Sequence, residues 1–351
     1  MGIYFNPSGR SYHQAVNSRI YIDKTPMIEI LNTRLFTEEK CISVSHARRF
    51  GKSQAARMID AYYSRGCDSR ELFSKLKISE SEDFEKHLNK YNVIHLDISS
   101  FADEYTDNLV SEIKRHIFNE FKEVYPNIDY TNSTASILKQ VYDKTETDVE
   151  GKKEKYQFVI IIDEWDCVVR NLSDRQDIVH EYLQFLHSLF KSEESQEFLA
   201  LGYITGILPI KKIRDESALN NFFEYTMVDS AELTPYFGFT TDEVDKLCEK
   251  YKIRLNQKKT RITPIKHGVD FLHCRYKFGR TGKIIKSGGR ESVKRERRKL
   301  KKFRKKLDEG ELDRKQIAEF YSSWRGFMQY FDSKILLKNT DKLYNKLFIE
   351  G

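Results

Sequence analysis

A chain of 351 residues, 39% apolar and 32% charged, has room for two domains with a core each. No run approaches the ~20 apolar residues of a membrane-spanning helix, and the opening MGIYFNPSGRSYHQ lacks the apolar core of a secretory leader, so a cytoplasmic location without a membrane partner is expected. Five scattered cysteines (Cys41, Cys67, Cys167, Cys248, Cys274) with no C-x-x-C pair exclude a disulfide framework and a zinc clip. The net charge of +7 is unevenly placed: between Arg290 and Lys306 eleven Lys or Arg stand against two Glu, and the rest of the chain sums to −2. A basic C-terminal piece is thus joined to a mildly acidic body, which implies two units with different partners.

Residues 1–40 read as an entry segment, with Ile20-Tyr21-Ile22 as a short strand, Asp23–Thr25 as a turn and Pro26–Leu35 as a helix. Next comes CISVSHARRFGKS, Cys41–Ser53: an apolar run, a basic turn, then Gly51-Lys52-Ser53 at the head of a helical stretch. In a phosphate-binding loop, backbone N–H groups and a helix N-terminus cradle the anion, a Lys reaches the outer phosphates and a Ser hydroxyl ligates magnesium. Lys52 and Ser53 match those two roles, while the first glycine of G-x-x-x-x-G-K-[ST] would fall at His46. Taken alone, the tripeptide is also what a basic loop between two elements looks like.

Helical segments fill 54–90, and Asn92–Ser99 reads as a buried strand with Asp97 near its end. Two readings of Asp97 stand side by side. It caps the next turn, or it faces the site as the polar residue of an extra strand between the two nucleotide-binding strands. Asp103–Val124 has helical spacing (Leu109, Ile113, Ile117, Phe121), and Asp129–Lys155 is polar, a loop or helical excursion. Phe158–Asp166, FVIIIDEWD, is an apolar run ending in acids, the pattern of a parallel strand buried on both faces that delivers carboxylates at its ligand-binding end. Asp163 is assigned to magnesium and Glu164 to the attacking water. A helix over Arg175–Lys191 and a strand over Phe198–Thr205 follow. Thr205 is either a polar sensor beside the γ-phosphate or a cap for the next turn. Glu224–Val228 adds a fifth strand. Strands alternating with helices predict a parallel sheet covered on both faces.

Five stretches, YIDKT (Tyr21–Thr25), ARRFGKS (Ala47–Ser53), DFEKHLNKYNVIHLDISSF (Asp83–Phe101), IIDEWD (Ile161–Asp166) and YITGILPI (Tyr203–Ile210), resemble the bacterial predicted AAA-ATPase-like family from about Ile20 to about Tyr251. Its pattern has a Y-[VI]-D-K-T box, an R-P-R-R-F-G-K-S loop and an I-D-E-Y-D strand. Here His46-Ala47 replaces Arg-Pro, and Trp165 replaces the Tyr. The resemblance implies an α/β fold of the P-loop NTPase type with ATP and Mg2+ as cofactors. Arg48, Arg49, Phe50, Gly51, Lys52 and Ser53 would surround the nucleotide, and other copies of the chain are the expected protein partner. Thr240-Thr241-Asp242-Glu243 before a helical run is compatible with an N-cap and resembles the start of the family's lid, which here is truncated. The implied first domain is residues 1–251.

From Leu255 the character changes. Val269–Phe278 with Lys283–Ile285 reads as a hairpin turning at Gly279–Gly282, Ser292–Leu307 as a basic helix and Leu312–Tyr330 as another helix. LNQKKTRI (Leu255–Ile262), HGVDFLHCRY (His267–Tyr276) and YSSWRG (Tyr321–Gly326) resemble the C-terminal, thumb-like region of bacterial group-II-intron-like and retroelement reverse transcriptases. Residues 252–351 are accordingly expected to form a small, basic, mostly α domain with a β-hairpin, derived from a mobile element. The Tyr-x-Asp-Asp box is missing, so no polymerase activity is expected. Lys294, Arg295, Arg297, Arg298, Lys301 and Lys302 are the candidates for RNA or DNA phosphates. Tyr321, Trp324 and Phe327 stack bases or form the small core.

The reading that results is an ATP-binding, magnesium-dependent ATPase. Its alternatives are a non-catalytic nucleic-acid-binding module and a decayed fusion without activity.

Overall fold

The computed structural model describes residues 2–149, 152–212, 219–227, 229–256, 267–271, 274–279, 284–329, 331 and 333–349. They divide into two compact units, Met1–Tyr251 and Lys252–Gly351.

The first unit is built on five parallel strands: β1 (Cys41–Ser45), β2 (Asn92–Asp97), β3 (Phe158–Asp163), β4 (Leu199–Gly206) and β5 (Phe223–Thr226). They lie in the order β2-β3-β4-β1-β5. Every residue of β1, β3 and β4 is buried, because both faces of the sheet are covered. Along β3 the side chains alternate between two cores. Phe158, Ile160 and Ile162 pack with Leu109, Ile113, Ile117 and Phe121 of the Leu109–Val124 helix and with the Gln176–Phe190 helix. Val159 and Ile161 pack with the Met27–Arg34 and Lys52–Tyr63 helices on the other face. A continuous β-branched and aromatic run is therefore what β3 needs, since it has no solvent face.

Several local expectations change. Ile20-Tyr21-Ile22 forms no strand; Tyr12 and Tyr21 join through their hydroxyls at 2.6 Å, and the segment lines a cavity instead. The polar stretch before β3 holds a helix, Thr134–Lys144, capped by Ser133, and a two-stranded ribbon, Glu146–Val149 with Lys152–Lys155. The strand inserted between β1 and β3 is β4, whereas β2 lies at the edge beyond β3. Asp97 consequently does not stand between β1 and β3. Its carboxylate accepts from the backbone N–H and hydroxyl of Ser99 at 3.0 and 2.6 Å and caps the Ile98–Glu104 helix.

The second unit holds three antiparallel strands, β6 (Val269–Phe271), β7 (Cys274–Phe278) and β8 (Ile284–Gly288), one more than the expected hairpin. The expected turn at Gly279–Gly282 and the LNQKKTRI patch fall mostly outside the described residues. Three helices follow, Arg290–Asp308, Arg314–Gln329 and Lys334–Phe348. Their core is small: Leu300, Ile317, Tyr321 and Phe348, with Trp324 partly buried against it. Tyr321 stacks on Tyr344 at 4.4 Å and donates to Asp341 at 2.6 Å, so Tyr321 and Trp324 belong to the interior, and Phe327 is exposed.

None of the five cysteines forms a disulfide among the described residues. Among the described residues no helix is long and apolar enough to cross a membrane.

Candidate functional site

Open parallel sheets bind ligands beyond the carboxyl ends of their strands, and there the loop after β1 and the acids after β3 meet. Arg49 (φ 70°) and Gly51 (φ 87°) both take the left-handed conformation, which reverses the chain so that the next helix begins at Lys52. A Cβ at Gly51 would meet nothing within 4 Å. The requirement for glycine there is conformational, and the loop faces open space. Arg48 and Arg49 are exposed, Phe50 and Ser53 half-buried, and Lys52 only 6% exposed. The Lys52 ammonium donates to the Ala47 carbonyl of its own loop at 3.1 Å. Burial lowers its pKa, while the charges of Asp163, Glu164 and Asp166 pull it back up, which places all three carboxylates within electrostatic reach of this one amine.

Asp163 is 4% exposed. Its Oδ1 accepts from the Thr205 hydroxyl and, at 3.0 Å, from the backbone N–H of Glu164. Thr205 can reach it because β4 runs directly beside β3. Among the described residues no hydrogen bond engages Asp163 Oδ2 or the Ser53 hydroxyl. Magnesium is commonly held by one or two protein oxygens together with substrate phosphates. These two free oxygen ligands, a buried cation and an open loop fit a magnesium nucleotide. No group of three or more His, Cys, Asp or Glu side chains among the described residues is arranged to hold a metal without one.

Glu164 adopts φ 51°, left-handed backbone that costs a non-glycine residue about 1 kcal/mol or more. The turn is held from behind. Trp165 N–H donates to the Thr205 carbonyl at 3.0 Å, and Tyr182 donates to the Trp165 carbonyl at 2.9 Å. Asp166, fully buried, accepts from Ile207 and Leu208 N–H at 3.1 and 2.8 Å and from Arg170 Nε at 2.7 Å. The other arm of that guanidinium reaches Glu164 at 3.2 Å. Gly206 allows this closure, since a Cβ there would meet Asp166 Oδ1 at 2.7 Å and Trp165 Nε1 at 2.8 Å.

His46, which stands at the position of the first motif glycine, is buried, its N–H bonded to the Gly206 carbonyl at 3.1 Å. Its ring Nε2 lies 3.0 Å from Ser230 Oγ, and because that hydroxyl donates to the Thr226 carbonyl, the imidazole donates from Nε2. Among the described residues Nδ1 has no partner, and burial, followed by the Lys52 charge, lowers the pKa. The ring is accordingly neutral, packed 4.9 Å from Phe237.

In the YIDKT box, Asp23 accepts from Thr25 and from Lys77 N–H, a turn-holding role. Lys24 grips both Glu243 oxygens at 2.6 and 2.7 Å and the Pro235 carbonyl. Thr240 and Glu243 form a reciprocal capping box on the Thr241–Lys250 helix. A cavity of about 280 Å3 opens between this box and the loop, its walls including Tyr21, Lys24, Phe50, Met58, Tyr236 and Phe239.

A family model described as predicted AAA-ATPase matches residues 12–214, more than half of the chain, spanning the YIDKT box, the phosphate loop and strands β1 to β4. The chain belongs to the AAA-ATPase-like family. Two solved structures are also similar. One is a DNA replication initiation factor (12% identity, TM-score 0.33, covering 70% of this chain and 56% of that one). The other is the replication initiator DnaA bound to AMPPCP and single-stranded DNA (12% identity, TM-score 0.32, covering 69% and 56%). The chain thus spans little more than half the length of these proteins. No curated protein sequence matches it.

At the carboxyl ends of this AAA-ATPase-like sheet Asp163 accepts from the Thr205 hydroxyl, the charges of Asp163 and Glu164 act on Lys52, Gly51 and Ser53 flank that lysine in the chain, and Arg48 and Arg49 are exposed. Asp166, Arg170 and Ser230 were not singled out from sequence. The Asp166…Arg170 spacing of four on a short helix was a readable signal; Ser230 had none. In the second unit Lys294, Arg295, Arg298, Lys301 and Lys302 are exposed. Arg297 departs from the expectation: it is half-buried, with its Nε sealed from solvent, because it lies toward the inner side of its helix.

Proposed function

We propose that the Met1–Tyr251 unit binds ATP with magnesium and hydrolyses it. The observation that carries this is the convergence on Lys52 of the Asp163 and Glu164 carboxylates, with the Thr205 hydroxyl on Asp163, at the mouth of β1, β4 and β3. Family membership supports the nucleotide; the geometry supports the division of labour.

The backbone N–H groups of the loop and of the first turn of the Lys52–Tyr63 helix cradle the phosphates, Lys52 neutralises the outer ones, and Arg48 or Arg49 adds charge at the rim. The Ser53 hydroxyl and Asp163 hold magnesium, which supplies charge neutralisation at the β- and γ-phosphates. Thr205 keeps Asp163 pointed and senses the γ-phosphate. Glu164 takes the proton of the attacking water, and Arg170, anchored by Asp166, sets where that carboxylate stands. The mostly apolar cavity beside Phe50 and Gly51 receives the base, of a kind with aromatic-lined ligand sites.

Isothermal titration of the protein and of Lys52→Ala with Mg-ATP tests this. Binding heat is expected for the first and none for the second. Equal heats from both remove the nucleotide assignment.

A further inference from the structure

The Arg290–Asp308 helix carries far more charge than its own surroundings use. Its buried side is narrow, with Val293, Glu296 and Leu300 turned inward. On the opposite side Lys294, Arg298, Lys301, Lys302, Lys305 and Lys306 are all exposed. They recur at spacings of three and four, one face of a helix, over a rise of about 18 Å. Two of the six are paired, Lys294 with Glu291 at 3.2 Å and Lys306 with Glu311 at 2.7 Å. Among the described residues no ion pair engages Arg298, Lys301, Lys302 or Lys305. Like charges three and four apart on a helix repel and work against it. A polyanion laid along the face would remove that repulsion and release its counterions.

A second feature borders the stripe. Lys299 Nζ lies 5.2 Å from the centre of the Phe303 ring and 5.0 Å from that of Phe320, the rings 5.5 Å apart. Phe320 is 48% exposed, although the small unit has a core available to it. An accessible aromatic face with a cation over it, beside a row of free cations, combines the two components of single-strand recognition, a phosphate track and a stacking platform. Duplex bases have their faces occupied by their neighbours and could use only the track.

We propose that this face binds single-stranded nucleic acid, with phosphates along Arg298–Lys305 and a base on Phe320. The inference is independent of the ATPase reading, and its test omits nucleotide. The full chain is titrated, between 50 and 200 mM salt, against fluorescein-labelled 20-mers of oligo(dT) and oligo(U), a 20-base-pair DNA duplex, and phosphatidylserine vesicles. Binding to a single strand is expected, with log affinity falling against log salt at a slope of about −3, the value for four phosphates at roughly 0.7 each. Replacing Arg298, Lys301, Lys302 and Lys305 together by Gln should weaken binding at 50 mM salt at least tenfold and bring the slope close to zero. F320A should weaken it roughly tenfold with the slope unchanged, since stacking does not depend on counterions. Circular dichroism of the quadruple variant, and a companion carrying Arg298→Lys with the three lysines changed to Arg, separate loss of charge from loss of fold; the companion should retain the slope. A quadruple variant with an unaltered slope, a duplex bound as tightly as single strands, or binding confined to vesicles overturns the proposal.

Discussion

In the sheet unit β3 and β4 are buried along their whole length, and helices on both faces contribute large side chains, Phe121 and Tyr182 to one core and Tyr62 and Tyr63 to the other. Among the described residues of 252–351 the core cluster of the helices is only Leu300, Ile317, Tyr321 and Phe348, with Val293 and Met328 buried outside it, while the 19-residue helix carries eleven basic residues. The contrast explains where chemistry can sit in each. A deep sheet gathers groups from separate strands at its carboxyl ends, so the charges of Asp163, Glu164 and Asp166 act on the buried Lys52. On the Arg290–Asp308 helix of the second unit the charge lies on exposed side chains and acts at the surface.

The largest way to break this contrast is at Glu164. Glu164→Gln should lower the rate of ATP hydrolysis by about 10²–10⁴-fold, the usual weight of a general base, while leaving Mg-ATP binding in place. A phosphate-release assay beside the titration reads both, and an unchanged rate would move the base elsewhere. In the second unit Leu300→Ala removes one of few fully buried side chains and should cost about 3 kcal/mol of local stability. Hydrogen exchange of the amides in 290–348 checks it; unaltered protection would mean that charge pairing, and not this core, holds the helices.

The smallest effect concerns His46. Its folded pKa lies below the ordinary imidazole value of 6.5 because the ring is buried, so as pH falls below that value the unfolded chain takes up the proton first. Stability from this group is complete above that value and is lost on acidification. The melting temperature should fall from pH 7 to pH 5, and His46→Asn should reduce that fall by roughly 2 °C. His87, lowered by burial in the same way, titrates in both proteins and cancels in the comparison.

Much of the sheet was legible because its signals are local. The run Phe158–Ile162 in β3 is an unbroken apolar stretch, β1 and β4 are largely apolar, the Leu109–Val124 spacing is helical, and Gly-Lys-Ser opens a helix. The Ile20–Ile22 segment misled because three β-prone apolar residues read alike in a strand and in a cavity wall. In the polar stretch before β3 the expected helical excursion is Thr134–Lys144, whereas the ribbon of Glu146–Val149 with Lys152–Lys155 was not legible because both strands are short and rich in charged residues.

Composition and periodicity alone determined that strands alternate with helices, that acids leave β3 at its ligand-binding end, and that a basic helix follows a separate body. Strand order was beyond them, since any parallel neighbour satisfies a two-faced apolar strand equally well. Only the packed sheet put β4 between β1 and β3, which gave Thr205 its carboxylate and turned Asp97 into a cap. Only folding brought Arg170 round to join Asp166 to Glu164, and Ser230 onto His46. The spacing of four between Asp166 and Arg170 was legible, but the reach to Glu164 and the meeting of Ser230 with His46 depend on directions in space that the chain order does not carry.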